Sequence, residues 1–229
     1  MTSAADAASR GGAPPKHASG RVFGRAFWGL MTFLSIGVGG YALFHVATGF
    51  AYLPPEVAGN AFPSSIGLRA HVAASGVALI LGPFQFLRSL RAKRPRLHRW
   101  TGRCYVAACL TGGAAGGAIA LFTTAGPVAG WGFLGLAAAW LACTGMAWTA
   151  ALRRDFASHE RWMIRSFALT LAAVTLRLYL PIGASLAGGF YPAYVVIAWA
   201  CWVPNIVVAE IWIRSRLVRP KPTAGAVAS

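Results

Sequence analysis

Acidic residues are scarce in this chain. It has 229 residues and only 5 Asp+Glu, against 21 Lys+Arg. Charged residues reach 11%, less than half the roughly 25% of an ordinary soluble domain. With 57% hydrophobic residues, too few charges remain to cover a soluble fold of this size. That excludes a soluble enzyme, a disordered chain and a collagen-like chain. Lysine is rarer still: Lys16, Lys93 and Lys221 all lie outside the middle of apolar runs, so a retinal Schiff base is excluded. No carboxylate lies near the middle of such a run, which argues against a carboxylate-driven ion pump. The four cysteines, Cys104, Cys109, Cys143 and Cys201, show no C-x-x-C spacing and no secreted disulfide pattern. Walker A, H-E-x-x-H and G-x-S-x-G motifs are missing too.

What the chain does have is length in its apolar runs. Six of them, about 27–53, 66–87, 100–124, 131–152, 162–187 and 190–213, each reach the ~20 residues that a bilayer requires. The expected fold is therefore all-α, an integral membrane six-transmembrane-helix bundle over 25–213. Residues 1–24 read as a disordered cytoplasmic N-tail, with no cleavage site that would make them a signal peptide, and 214–229 as a cytoplasmic C-tail.

The basic residues test that topology. They cluster in the N-tail, in the second-to-third and fourth-to-fifth connections, and in the C-tail, which leaves only Arg69 and Arg177 elsewhere. Six spans place all four clusters on one face, as the positive-inside rule requires. A bacterial inner-membrane protein in contact with the lipid bilayer, both termini cytoplasmic, is the expectation. The same clustering speaks against nucleic acid as the partner, because the positive charge is not spread over a folded surface.

Ionisable side chains inside a bilayer are costly and mark function by default. Depth along each run follows from the helical rise. His45 lies 20 residues from Arg25, about 30 Å up. His71 lies 17 residues from Arg88, about 26 Å up, and Arg177 lies 12 residues from Arg165, about 18 Å up. These three form a candidate outer layer, with Tyr52 and Tyr179 in the same half. His98, His159, Gln85 and Glu210 form a candidate inner layer. Arg177 needs a counter-charge. Glu56 is the only carboxylate in reach, so Arg177 pairs with it, faces water, bonds to helix carbonyls, or binds an anionic group outside the protein.

Two inner-face segments look alike, Leu97-His98-Arg99-Trp100-Thr101-Gly102-Arg103 and His159-Glu160-Arg161-Trp162-Met163-Ile164-Arg165. Trp and Arg at a headgroup boundary are ordinary anchors, whereas a repeated His is less so. With Gly82-Pro83-Phe84-Gln85-Phe86 and Ala173-Val174-Thr175-Leu176-Arg177-Leu178, these segments resemble a bacterial family of predicted membrane proteins, domain of unknown function 2306. That resemblance covers roughly residues 71–212. It implies the topology and the choice of His71, His98, His159 and Arg177, but no reaction. A looser likeness is to membrane haem cytochromes of the b561 type, which ligate haem by histidine pairs on separate helices. It implies haem b as cofactor, with His98 and His159 as the candidate iron ligands and His45, His71 and Arg177 as further cofactor-binding candidates. The function expected is a haem-b-binding membrane electron-transfer protein with quinone or a redox protein as partner. A small transporter in which Arg177 binds an anion, or an accessory subunit with no redox cofactor, is the alternative.

Overall fold

The computed structural model describes residues 16–52 and 66–217. Among the described residues every regular element is helical. The helices are α1 (Lys16–Ala47), α2 (Ile66–Gln85), α3 (Arg88–Lys93), α4 (Pro95–Ala120), α5 (Pro127–Leu152), α6 (Phe156–Thr170), α7 (Ala172–Leu186), α8 (Phe190–Ala200) and α9 (Val203–Leu217). Five stretches among them are long and apolar enough to cross a bilayer: Ala26–Ala47, Ile66–Gln85, Pro127–Leu152, Phe156–Leu186 and Phe190–Leu217. Helix α4 has 26 residues, as many as α5, but Arg96, Arg99, Arg103 and five glycines lower its hydropathy.

The helix ends follow local chemistry. Gly126 takes a left-handed φ of 88° and Pro127 opens α5, where a missing N–H costs nothing. Asp155 accepts from the Ser158 backbone N–H at 3.0 Å and so caps α6. Hydrogen bonds from Ser158 hold the Asp155 carboxyl below the usual carboxylate range. Helix α1 begins at Lys16, inside the stretch expected as tail, and α9 runs to Leu217. Residues 1–15, the 53–65 loop and 218–229 lie outside the described residues, and Glu56 with them. The basic segment 88–99, expected as a loop, is mostly helical, because Pro95 starts α4 before the apolar run begins.

The expected fifth and sixth runs are each helical but broken once. At Leu171, the Val174 N–H bonds only three residues back, to the Leu171 carbonyl. Thr170 flanks this break and bonds back to the Ser166 carbonyl, a habit that bends helices. At Cys201–Trp202, Pro204 removes an N–H from the next turn. The two breaks face one another. The Thr175 hydroxyl donates to the Cys201 carbonyl, and Asn205 Nδ2 donates to the Ala168 carbonyl and to Thr175 Oγ1, both at 3.2 Å. The freed backbone groups are thus paired inside the bundle, as a bilayer demands.

Helix α4 packs between α2 and α5; α2 also packs on α1, and α5 on α6 and α8. The interior packs small residues such as Ala78, Ala129, Ala147, Ser35, Thr144 and Ser166 around a few large ones, Tyr105, Trp140 and Phe167. The outside is large and apolar: Phe27, Phe33, Trp131, Leu186, Val196 and Ile211 are exposed. That inversion of a soluble fold suits helices joined by close packing under a hydrocarbon solvent.

Gly82 sits at the tightest approach. A Cβ there would lie 2.2 Å from Phe167 Cε2 and 3.2 Å from Tyr105 Cε2, and both rings are buried. Gly145 has open space beside it. Gly82→Ala should lower thermal stability in detergent by an amount of about 1–3 kcal/mol. Gly145→Ala should leave it unchanged or raise it by up to about 1 kcal/mol. Thermal unfolding of the two variants side by side checks both signs.

Candidate functional site

The chemistry-bearing residues of α4 share one face. His98, Gly102, Tyr105, Cys109, Gly112 and Gly116 follow a 4-3-4-3-4 spacing, so they form a single stripe. Tyr105 is seven residues from His98 and seven from Gly112, about 10 Å each way. Helix α6 repeats the pattern with His159, Met163, Ser166 and Thr170.

The two stripes meet at a buried junction. Tyr105 OH lies 3.0 Å from Ser166 Oγ and 3.0 Å from Thr170 Oγ1. Thr144 Oγ1 of α5 lies 2.7 Å from Ser166 Oγ, and Trp140 Nε1 donates to Thr170 Oγ1 at 3.0 Å. All five side chains are buried. One proton arrangement satisfies them. Thr170 spends its proton on the Ser166 carbonyl at 2.9 Å, so Tyr105 must donate to Thr170. Ser166 then donates to the Tyr105 oxygen, and Thr144 to Ser166. Sequence reasoning missed this junction, since Ser, Thr and Trp carry no charge to mark them. The available signal was the 4-3-4 spacing of Ser166 and Thr170 from His159.

Below the junction lies the inner layer. His98 is two turns from Tyr105, and His159 is two turns from Ser166, so the bonded pair sets the two histidines at one level. His159 Nδ1 donates to the Ala147 carbonyl of α5 at 2.8 Å. His98 Nδ1 is buried with no partner. Gln85 Nε2 donates to Thr101 Oγ1 at 2.9 Å and ties α2 to the same end of α4. Glu210 is engaged elsewhere, with both carboxylate oxygens on Arg165.

Above the junction lies the outer layer. His71 Nδ1 donates to the Gly112 carbonyl at 2.8 Å. The Nδ1–Cε1 edge of its ring lies against Gly116, where a Cβ would come within 2.7 Å of Nδ1. The guanidinium of Arg177 on α7 sits 5.8 Å from the Tyr41 ring centre. It donates to the Ala173 carbonyl of its own helix at 2.9 Å. His45 is 3% exposed, and neither ring nitrogen has a partner. It stacks edge-on against Tyr41 at 4.3 Å, so it reaches Arg177 through that ring. Tyr52 stacks on Phe44 and Tyr179 is exposed, so neither is seen to join the cluster. Among the described residues, no group of three or more His, Cys, Asp or Glu is placed to hold a metal ion.

Helices of this length, closely packed inside and apolar outside, with part-buried ionisable side chains between them, define a helical integral membrane protein. A family model described as "Predicted membrane protein (DUF2306)" matches residues 68–213. The chain belongs to that family. The match includes His71, His98, His159 and Arg177, and His45 falls before it. No curated protein and no solved structure matches the chain.

Tyr105→Phe leaves the Ser166 donor without its acceptor and removes one donor to Thr170. It should cost about 1–3 kcal/mol of stability, the penalty of an unpaired buried polar group. Thermal unfolding in detergent, with the more exposed Tyr179→Phe as control, checks it.

Proposed function

We propose that this chain is a six-span electron-transfer protein of the bacterial inner membrane, with both termini cytoplasmic. In this reading α4 is the sixth span, its basic inner end lying in the headgroup region. The observation that carries the functional reading is the repeated clamp on imidazole. His71 and His159 each donate Nδ1–H to a carbonyl of a neighbouring helix. Such a bond is the kind that orients a metal-binding histidine and raises its basicity.

Imidazole is a common ligand of haem iron, and His98 on α4 and His159 on α6 would hold a haem b at the inner end. The bound group would supply a one-electron iron couple. The outer layer suits a quinone head. Arg177 would donate to a quinone oxygen, and His71 Nε2 would take the proton of a hydroquinone hydroxyl. His45 supplies an unused donor and acceptor in the same half. The two layers stand about 20 Å apart along α4.

A second reading, a small anion transporter centred on Arg177, draws on the facing breaks in α6–α7 and α8–α9, because discontinuous helices serve transport. Thr175 and Asn205 occupy the freed carbonyls there, which favours a packed joint over a moving one.

Absorption spectra of the detergent-purified protein from haem-replete cells, oxidised and then dithionite-reduced, separate the readings. The wild type should show a Soret band and sharp reduced α and β bands. His98→Ala and His159→Ala should each abolish the low-spin bands. His71→Ala and Arg177→Gln should keep them and slow reduction by a short-chain hydroquinone by about tenfold or more. A featureless spectrum from well-folded wild-type protein would overturn the electron-transfer reading.

A further inference from the structure

The inner end of α4 carries a second feature that neither histidine layer uses. Arg96, Arg99, Trp100 and Arg103 fall at i, i+3, i+4 and i+7, so they share one face of the helix. They line an open cleft of about 270 Å³. Arg103 lies over the Trp100 ring with its guanidinium carbon 5.4 Å from the centre, and Trp100 is 64% exposed. All three arginines are exposed.

Their charge is not neutralised within the described residues. The described carboxylates are Asp155, Glu160 and Glu210. Asp155 caps α6, Glu160 lies 3.5 Å from Arg216, and Glu210 is held by Arg165. So three guanidinium groups surround one cleft and none is seen to have a carboxylate. An indole stands beside them at the level where Trp meets headgroups. Guanidinium presents forked donors that match phosphate oxygens, which a lysine cluster would not.

We propose that this cleft is a binding site for the phosphate of an anionic phospholipid headgroup. Arg96, Arg99 and Arg103 bind the phosphate, and Trp100 packs along the glycerol and upper acyl carbons. The site would fix the depth and rotation of α4, and with them the level of His98 on the adjacent face. The inference rests on the membrane setting of the chain and not on haem or quinone binding.

Native mass spectrometry of the full chain in detergent tests it, with phosphatidylglycerol and phosphatidylcholine of equal acyl length as probes. Wild type should retain phosphatidylglycerol in preference to phosphatidylcholine. Each basic side chain near an anionic surface is worth roughly fivefold in binding, so Arg99→Gln/Arg103→Gln should weaken retention about 25-fold. Arg96→Gln alone should weaken it about fivefold, which keeps the test open if the double variant fails to fold. Arg153→Gln/Arg154→Gln, two exposed bases at the same end of the bundle, should change it less than twofold. Three results would overturn the proposal. One is equal retention of the two lipids. Another is equal loss in both double variants, which would mean a diffuse basic surface. The third is displacement of the lipid by millimolar inorganic phosphate, which would make soluble phosphate the ligand.

Discussion

In a bilayer core no water is present to satisfy a stray hydrogen-bonding group, and this constraint shapes the whole bundle. Its sharpest expression is the junction of Tyr105, Ser166, Thr170, Thr144 and Trp140. Five side-chain protons meet there and one arrangement pairs them all. The junction locks α4, α5 and α6 at a common depth. The inner histidines hang two turns below it, and the Gly112 carbonyl that holds His71 sits two turns above.

Close approach makes the junction possible. The hydrophobic effect does not press helices together in lipid, so contact area must come from small residues. Gly82 lets α2 lie against Tyr105 and Phe167, and Gly116 leaves room for the His71 ring. The glycines that read in the sequence as packing surfaces therefore do more than pack. Gly112 also lends its carbonyl to orient an imidazole.

Much of this was legible beforehand, for a physical reason. Hydrocarbon imposes length and polarity on a span, so apolar runs and basic clusters outline the helices in the sequence. Rarity marked His71, His98, His159 and Arg177, since a charged or titratable residue in lipid must be explained. Helix rotation was not legible. It decides that Tyr105 meets Ser166 and that His45 reaches Arg177 through Tyr41. Nor were the breaks at Leu171 and Cys201 visible as breaks, because Thr175 and Asn205 repair them from another segment of the chain. Hydroxyl networks escape a sequence reading for the same reason. Their members are common residues whose meaning lies in which helix they face.

The account depends on the junction acting as one unit, and a double-mutant cycle asks that directly. Stability in detergent would be measured for Tyr105→Phe, Ser166→Ala and the two combined. Neighbours in one hydrogen-bond network couple by about 0.5–3 kcal/mol, and buried pairs in membrane bundles reach about 1.7. The structure predicts a coupling of about 1 kcal/mol or more between these two positions, since either single variant already removes the Tyr105–Ser166 bond. Additivity within about 0.3 kcal/mol would contradict it. The two histidine layers would then have no common anchor.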